Sequence, residues 1–398
     1  MHRRPDVALV TLYPPDRVRH GGRSGVASYS ANLAQGLADA GARVHVLASR
    51  EADEPKHTRD GAVRIERAFA RGPGAGAAAL VAALRTGAPV IHLQFELFLY
   101  GGASALPGLV AALAAGRRSG TKIVVTMHQV VDPASVDERF VRMHGIRLPA
   151  TLARTTLAAV QRLVGRLPDA AIVHEPSFTQ VLPGSVVIPH GVEQVQRADR
   201  AAARERLDLA GEHLVALCFG FVAPYKGLEL ACEAAGLAGE GVRLVVAGGE
   251  HPRYRRAAFA AGLRSHYGDR VRFAGFVPED ELADWFAAAD VALLPYPRPH
   301  ASSGALALAL AHGTPVLVSP ALAATIGAPA LAGPGDPEGL AARLRGLAAE
   351  PAELESLRDA SRRLGEGRSW PEVARRHLEL YEEVIRARRT PSRLASAV

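Results

Sequence analysis

A lysine set where a strand gives way to a helix can neutralise an anionic leaving group. One stands in the run Phe219-Gly220-Phe221-Val222-Ala223-Pro224-Tyr225-Lys226-Gly227, just ahead of a helical pattern that opens near Leu228. An ammonium there can stabilise the charge that develops on a departing diphosphate. A second run, Pro295-Tyr296-Pro297-Arg298-Pro299-His300-Ala301-Ser302-Ser303-Gly304, leads into an apolar helix that the spacing starts at Gly304 and stops at Gly313. Ser302 or Ser303 can cap that helix and leave backbone N–H groups for phosphate oxygens. His128 closes the apolar run Val124 to Met127, where an imidazole can hydrogen-bond a substrate hydroxyl. His20-Gly21-Gly22-Arg23-Ser24-Gly25 allows close backbone approach to an anion at a helix start. Gln94 and Glu96 follow another apolar run and are candidates for binding a second substrate, and His190 closes a further one. Each also has a plain structural alternative: a turn lysine, a serine N-cap, a satisfied core or hinge histidine, a flexible loop.

These residues need elements to hold them. Short apolar runs predict strands over 6–12, 43–48, 89–93, 122–127, 170–174 and 186–189, then over 214–220, 243–248, 271–274, 291–294 and 315–319. Helical spacing fills the gaps between them. After Gly25, Val26, Tyr29, Leu33 and Leu37 share one face, and Gly41 stands at the C-terminal cap. Strand–helix alternation predicts parallel sheets covered on both faces, and two such series predict two doubly wound Rossmann-like α/β domains. The expected division is 1–195 and 196–369, with 370–398 returning to the first domain. In open parallel sheets ligands bind beyond the carboxyl ends of the strands, so a cleft between facing domains is the expected site.

The bulk properties agree with this. A chain of 398 residues exceeds one ordinary core, and 48% hydrophobic with 22% charged residues is a globular composition. The net charge of +7 favours anionic ligands, but it is diffuse and aromatics are only 5%, so nucleic acid is not an expected partner. Cys218 and Cys232 are expected as reduced, buried thiols, and no cleavable leader is apparent, which places the expected location in the cytoplasm. Residues 301–333 carry no Asp, Glu, Lys or Arg, yet glycines and prolines divide them, predicting a buried helix and strand rather than a membrane span. The segment 142–166 carries Arg142, Arg147, Arg154, Arg162 and Arg166 among apolar residues. It offers either a weak peripheral contact with acidic lipid at the inner membrane face or the solvated face of a long helix. No zinc-type spacing, Walker loop or nucleophile elbow is present, and the expected reaction needs no metal and no cofactor. The first glycine loop is not G-x-G-x-x-G, and the second strand runs into Ala48-Ser49-Arg50 without an acidic residue, so a dinucleotide site is not supported.

Taken in order, these motifs resemble family 4 (group 1) glycosyltransferases of GT-B fold. The resemblance rests on GG-x-x-GVASYSANLAQGLADAG, VVTMH, VIPHGV, FGFVAPYKG, VRFAGFVPEDELADWFAAADVALLPY and SGALALALAHGTPV, with SWPEVARRHLELYEEVI as a closing helix. It implies a retaining transfer from a nucleoside-diphosphate sugar to a hydroxyl acceptor, with the acceptor on the N-terminal half and the nucleotide on the C-terminal half. By position, Gly22 would lie near the diphosphate and sugar, His128 near the transferred sugar and Lys226 at the phosphates. Residues 272–276, Arg272 to Phe276, would surround the base.

Two departures stand out. The family's paired glutamates eight positions apart fall at His300 and Leu308, and its frequent arginine ahead of the lysine is missing. This resembles members with an SG-type loop, and it leaves phosphate charge to Lys226, the 302–304 amides and Arg298 or Arg23. A sugar-nucleotide epimerase and a non-catalytic nucleotide-binding relative are the competing readings.

Overall fold

The computed structural model describes residues 4–15, 19, 24–96, 99–211, 214–250, 257–268 and 270–387. Thirteen strands among them form two sheets. The first sheet contains β1 (Val7–Thr11), β2 (Val44–Ser49), β3 (His57–Asp60), β4 (Val63–Phe69), β5 (Val90–Phe95), β6 (Lys122–Met127), β7 (Ala170–Val173) and β8 (Val186–Val187). Its order is β3-β4-β2-β1-β5-β6-β7-β8, and only the β3–β4 pair is antiparallel. The second sheet contains β9 (Leu214–Phe219), β10 (Val242–Ala247), β11 (Val271–Gly275), β12 (Val291–Leu294) and β13 (Val316–Val318). Its order is β11-β10-β9-β12-β13, all parallel.

The central strands read as unbroken apolar runs because helices cover both faces. On one face of β1, Val7 and Leu9 pack with Tyr29, Leu33 and Leu37 of helix Gly25–Asp39. On the other, Ala8 and Val10 pack with Leu80 and Leu109 of helices Ala75–Arg85 and Leu106–Gly116. Leu33 and Leu37 are fully buried, each stabilising the fold by roughly 1.5–3 kcal/mol. Gly41, with φ +92°, ends that helix as its position suggested.

The helix Trp370–Arg386 begins at Ser369, whose side chain accepts from the Glu372 N–H, and returns to the first sheet. Trp370, Val373, Ala374, Leu380 and Tyr381 join the core beneath Tyr29 and Leu33. The Tyr381 hydroxyl lies 2.6 Å from His92 Nδ1 on β5. At the crossover, the Val192 N–H donates to the Arg368 carbonyl at 2.6 Å. Gly191 lies flat against the indole, and a Cβ there would stand 2.4 Å from the Trp370 ring. Gly191→Ala is therefore expected to destabilise the chain by about 1–3 kcal/mol, as overpacking does. Urea unfolding measures this, and an unchanged midpoint would mean that Trp370 yields freely.

The run 301–333 resolves into the helix Gly304–His312, β13 and a further helix, Pro320–Ile326. Cys218 and Cys232 are buried free thiols, and burial raises the pKa of both. Among the described residues no helix is long and apolar enough to cross a membrane. Helix Ala150–Arg166 exposes Leu152 and Leu163 together with Arg162 and Arg166, so its outer face is mixed rather than simply polar.

Candidate active site

Strand order reverses at β9/β12 in the second sheet, and such a switch point opens a crevice at the strands' carboxyl ends. The loop after β9 carries Lys226 and the loop after β12 carries Tyr296 through Gly304. Both line a cavity of about 1,320 Å³, whose opposite wall comes from loops after β5 and β6 of the first sheet. An ordinary small-molecule pocket holds roughly 300–1,000 Å³, so this space can admit two ligands side by side.

Lys226 sits in a short 3₁₀ turn, Pro224–Lys226, ended by Gly227 at φ +67°. Only glycine fits that position: a Cβ would stand 2.0 Å from the Pro295 carbonyl oxygen. The close approach brings the two loops together. Lys226 Nζ donates to the Tyr296 hydroxyl at 2.5 Å and lies 4.3 Å from that ring's centroid. Burial works against its charge, but the oxygens of Tyr296 and Tyr225 and the Cys218 sulfur outweigh it, and the pKa lies above the ordinary lysine value. Lys226 is therefore cationic at neutral pH.

The Tyr296 hydroxyl in turn lies 3.2 Å from Ser303 Oγ. Ser303 caps helix Gly304–His312 by accepting from the Leu306 N–H, and Ser302, Ser303, Gly304 and Ala305 border the cavity. Lysine, tyrosine and serine thus lead from one cation to a helix N-terminus, a place suited to anions. Ser302 instead donates to Oε1 of Glu175, which follows β7 and is 1% exposed. Arg368 Nη2 stands 3.5 Å from the other carboxylate oxygen. Burial raises the Glu175 pKa, against the opposing pull of Arg368 and Ser302.

The same loop reaches the first half directly. The Val130 N–H donates to the His300 carbonyl at 2.8 Å, and Gln129 bridges to Ala301. Arg298, expected as a phosphate partner, lines the cavity and pairs with Asp137 at 2.8 Å across the junction, an exposed contact. Arg23, the other expected partner, lies outside the described residues, as does Gly22. His300 and Leu308, at the positions of the absent glutamates, both line the cavity.

His128 follows β6, lines the cavity and is 8% exposed. Burial, then the neighbouring His174, His190 and His92, holds its pKa well below the ordinary histidine value, so the ring is neutral. Its Nε2 lies 2.7 Å from Gln94 Oε1, and its Nδ1 lies 3.4 Å from His174 Nε2. The second contact is at the outer limit of a hydrogen bond. Tyr29 meets the His128 ring edge-on at 4.8 Å.

Two expected contacts are corrected by this arrangement. Gln94 is fully buried, is not among the lining residues, and uses its side chain on His92 and His128, so it orients His128 and does not meet an acceptor. Arg272 donates to the Leu207 carbonyl, stacks 5.4 Å from the Trp285 ring, and also lies off the cavity wall. Glu96 and Phe276 do line the cavity, and Phe276 is 66% exposed, an aromatic face open to a planar ligand. His190 lines it too, beside Gly191 at the crossover. Tyr296 and Glu175 were not singled out in the sequence. Glu175 stands just past an expected strand end, which was a usable signal. Nothing in the sequence shows that Tyr296 returns to Lys226 across 70 positions.

Comparison with known proteins places the architecture. Residues 23–196 match the family described as Glycosyltransferase Family 4, and residues 213–350 match Glycosyl transferases group 1. The chain belongs to these family 4, group 1 glycosyltransferases, and its two facing parallel-sheet halves are the GT-B fold. It is 31% identical over 227 residues, 52% of the chain, to D-inositol 3-phosphate glycosyltransferase of Streptomyces bingchenggensis, and the match spans only 50% of that relative's length. A protein of the same name from Thermobispora bispora is 28% identical over 435 aligned residues, covering 95% of each chain. Among solved structures, sucrose-phosphate synthase from Thermosynechococcus elongatus superposes with TM-score 0.74 at 21% identity, over 96% of this chain and 99% of that one. Anabaena HepE in complex with UDP-glucose gives 0.65 at 14%, over 95% and 99%.

Proposed function

We propose that this chain is a retaining glycosyltransferase, moving a sugar from a nucleoside-diphosphate sugar to a hydroxyl acceptor such as a bacterial polysaccharide, glycolipid or secondary metabolite. The observation that carries the reading is the Lys226–Tyr296–Ser303 relay, which joins a cation to a helix N-terminus at the β9/β12 switch point. In this reading the diphosphate rests there, the base lies on Phe276, and the sugar extends toward His128. His128 Nδ1, whose contact with His174 is long, is the nitrogen that a sugar hydroxyl can compete for.

Transfer follows a front-face course. The bond from the anomeric carbon to the phosphate oxygen breaks, the acceptor oxygen bonds to that carbon from the same side, and the acceptor proton passes to the leaving phosphate. Lys226, rather than a metal ion, compensates the phosphate charge, so the protein contributes positioning and electrostatic stabilisation. Glu96 and neighbours on the first half hold the acceptor.

His300 and Leu308 favour a second reading, nucleotide binding without transfer, because neither supplies a carboxylate to sugar or ribose. A thermal-shift panel of UDP, GDP, ADP and TDP, followed by the matching sugar donors with and without acceptors, separates the cases. Transfer to an acceptor is the expected result. Nucleotide binding without turnover would favour the second reading, conversion of donor alone would indicate an epimerase, and no shift with any nucleotide would reject the site.

A further inference from the structure

We propose that the acceptor carries an apolar body, an aliphatic chain or hydrophobic aglycone, seated in the part of the cavity lined by Leu106, Phe140, Met143, Ile146, Leu157 and Val160. The proposal deepens the glycosyl-transfer reading of the same cavity and rests on it for the word acceptor. Five of these side chains come from helix Glu138–Met143, the turn that follows it and helix Ala150–Arg166. Met143, Ile146, Leu157 and Val160 are only partly buried, so their exposed surface faces a space that water would otherwise fill.

Two of the polar groups around this wall are already engaged. Gln161 Oε1 accepts from the Val131 N–H at 2.7 Å, and its Nε2 donates to the Val131 carbonyl at 2.8 Å. Asp137 accepts from the Phe140 N–H at 2.7 Å and pairs with Arg298. Burial, then His300, lowers the His144 pKa to about 4, so that ring adds no charge at neutral pH. A phosphorylated polyol would find its charge partners at Arg142 and Arg147 on the rim and would leave the apolar side chains of this wall wet.

The chamber also stands beside the donor loop. The Phe140 ring lies 4.3 Å from that of His144, which lies 5.5 Å from that of His300. An apolar body held there presents an attached hydroxyl next to the loop that holds the donor. At the mouth, Leu148 is 41% exposed between the exposed Arg142 and Arg147 and the start of helix Ala150–Arg166, so the apolar surface continues outward within a basic rim.

Calorimetric titration of the full chain with octyl β-glucoside below its micellar concentration, methyl β-glucoside and myo-inositol 1-phosphate tests the proposal. Each buried methylene is worth about fourfold in affinity, so octyl glucoside should bind at least about 10-fold tighter than methyl glucoside. The Met143→Gln/Leu157→Gln variant should lose that advantage while keeping its thermal shift with nucleoside diphosphate. If the double variant does not fold, Met143→Gln alone should show a smaller loss in the same direction. Equal affinity for the two glucosides, tighter binding of the inositol phosphate, or octyl binding untouched in a folded variant would overturn the proposal. Absence of any nucleotide shift would instead count against the transferase reading, and the glucoside comparison would still decide the chamber.

Discussion

Replacing Lys226 with alanine is expected to lower kcat about 10²–10³-fold, the scale for removing one preorganised charge partner of a transition state. The size of the effect follows from where the ammonium is held. It is partly buried, kept cationic by Tyr296 and Tyr225, and fixed by a 2.5 Å hydrogen bond. Its field therefore acts through a medium of lower dielectric than water, and no reorganisation is needed as negative charge moves onto the leaving diphosphate. Arg298 lines the same cavity, but its guanidinium is shared with Asp137 across the junction and does not touch Tyr296 or Ser303 as Lys226 and its partner do. The fold should persist, since the Tyr296 hydroxyl keeps Ser303 as a neighbour. Steady-state kinetics beside a melting curve make the measurement. Turnover near that of the unaltered chain, in a folded variant, would remove Lys226 from the mechanism.

Why was Lys226 legible when its partners were not? Strand ends and helix starts are local, and the apolar run Leu214–Phe219 followed by glycine and proline marks one plainly. The same holds for Ser303, which has an apolar helix on one side and prolines on the other. The hairpin β3–β4 was not read as strand, because β4 sits near the sheet edge, Arg64 and Glu66 separate its inward Val63 and Ile65, and Arg67 takes the next inward position before Phe69, giving no continuous apolar run. Its alternation and the Asp60-Gly61 turn were the signals available. Gln94 and Arg272 were misplaced for a different reason. A strand end says that a residue is near the cleft, but side chains alternate between faces, and only the tertiary structure shows Gln94 turned to His92 and Arg272 turned to Trp285. The family pattern carried the order of the site, while long-range pairing decided which side chains reach it.

Glu175→Ala should destabilise the chain by about 3–5 kcal/mol, the usual consequence of removing one partner from a buried ion pair. Three segments meet at this carboxylate: β7 of the first half, the donor loop through Ser302, and the crossover through Arg368. Without it the Arg368 side chain, 11% exposed, keeps its charge with no other carboxylate paired to it among the described residues, and Ser302 loses its acceptor. Glu175→Gln should cost less, since an amide oxygen can still accept from Ser302. The pH dependence separates charge from shape. Burial raises the native pKa of Glu175 above the ordinary glutamate value of 4.5, so the folded state holds this proton more tightly than the unfolded chain. The group's contribution is then most favourable below 4.5 and is lost as pH rises from there through the raised native value. Glu175→Gln removes that component, and its stability should fall less steeply than the unaltered chain's across this window. Denaturant unfolding at a series of pH values reads both effects. A Glu175→Ala midpoint equal to the unaltered chain's would show that the junction holds without this pair. A loss of stability accompanied by weaker nucleotide binding would show that one buried carboxylate sets both the fit of the two halves and the position of the donor loop.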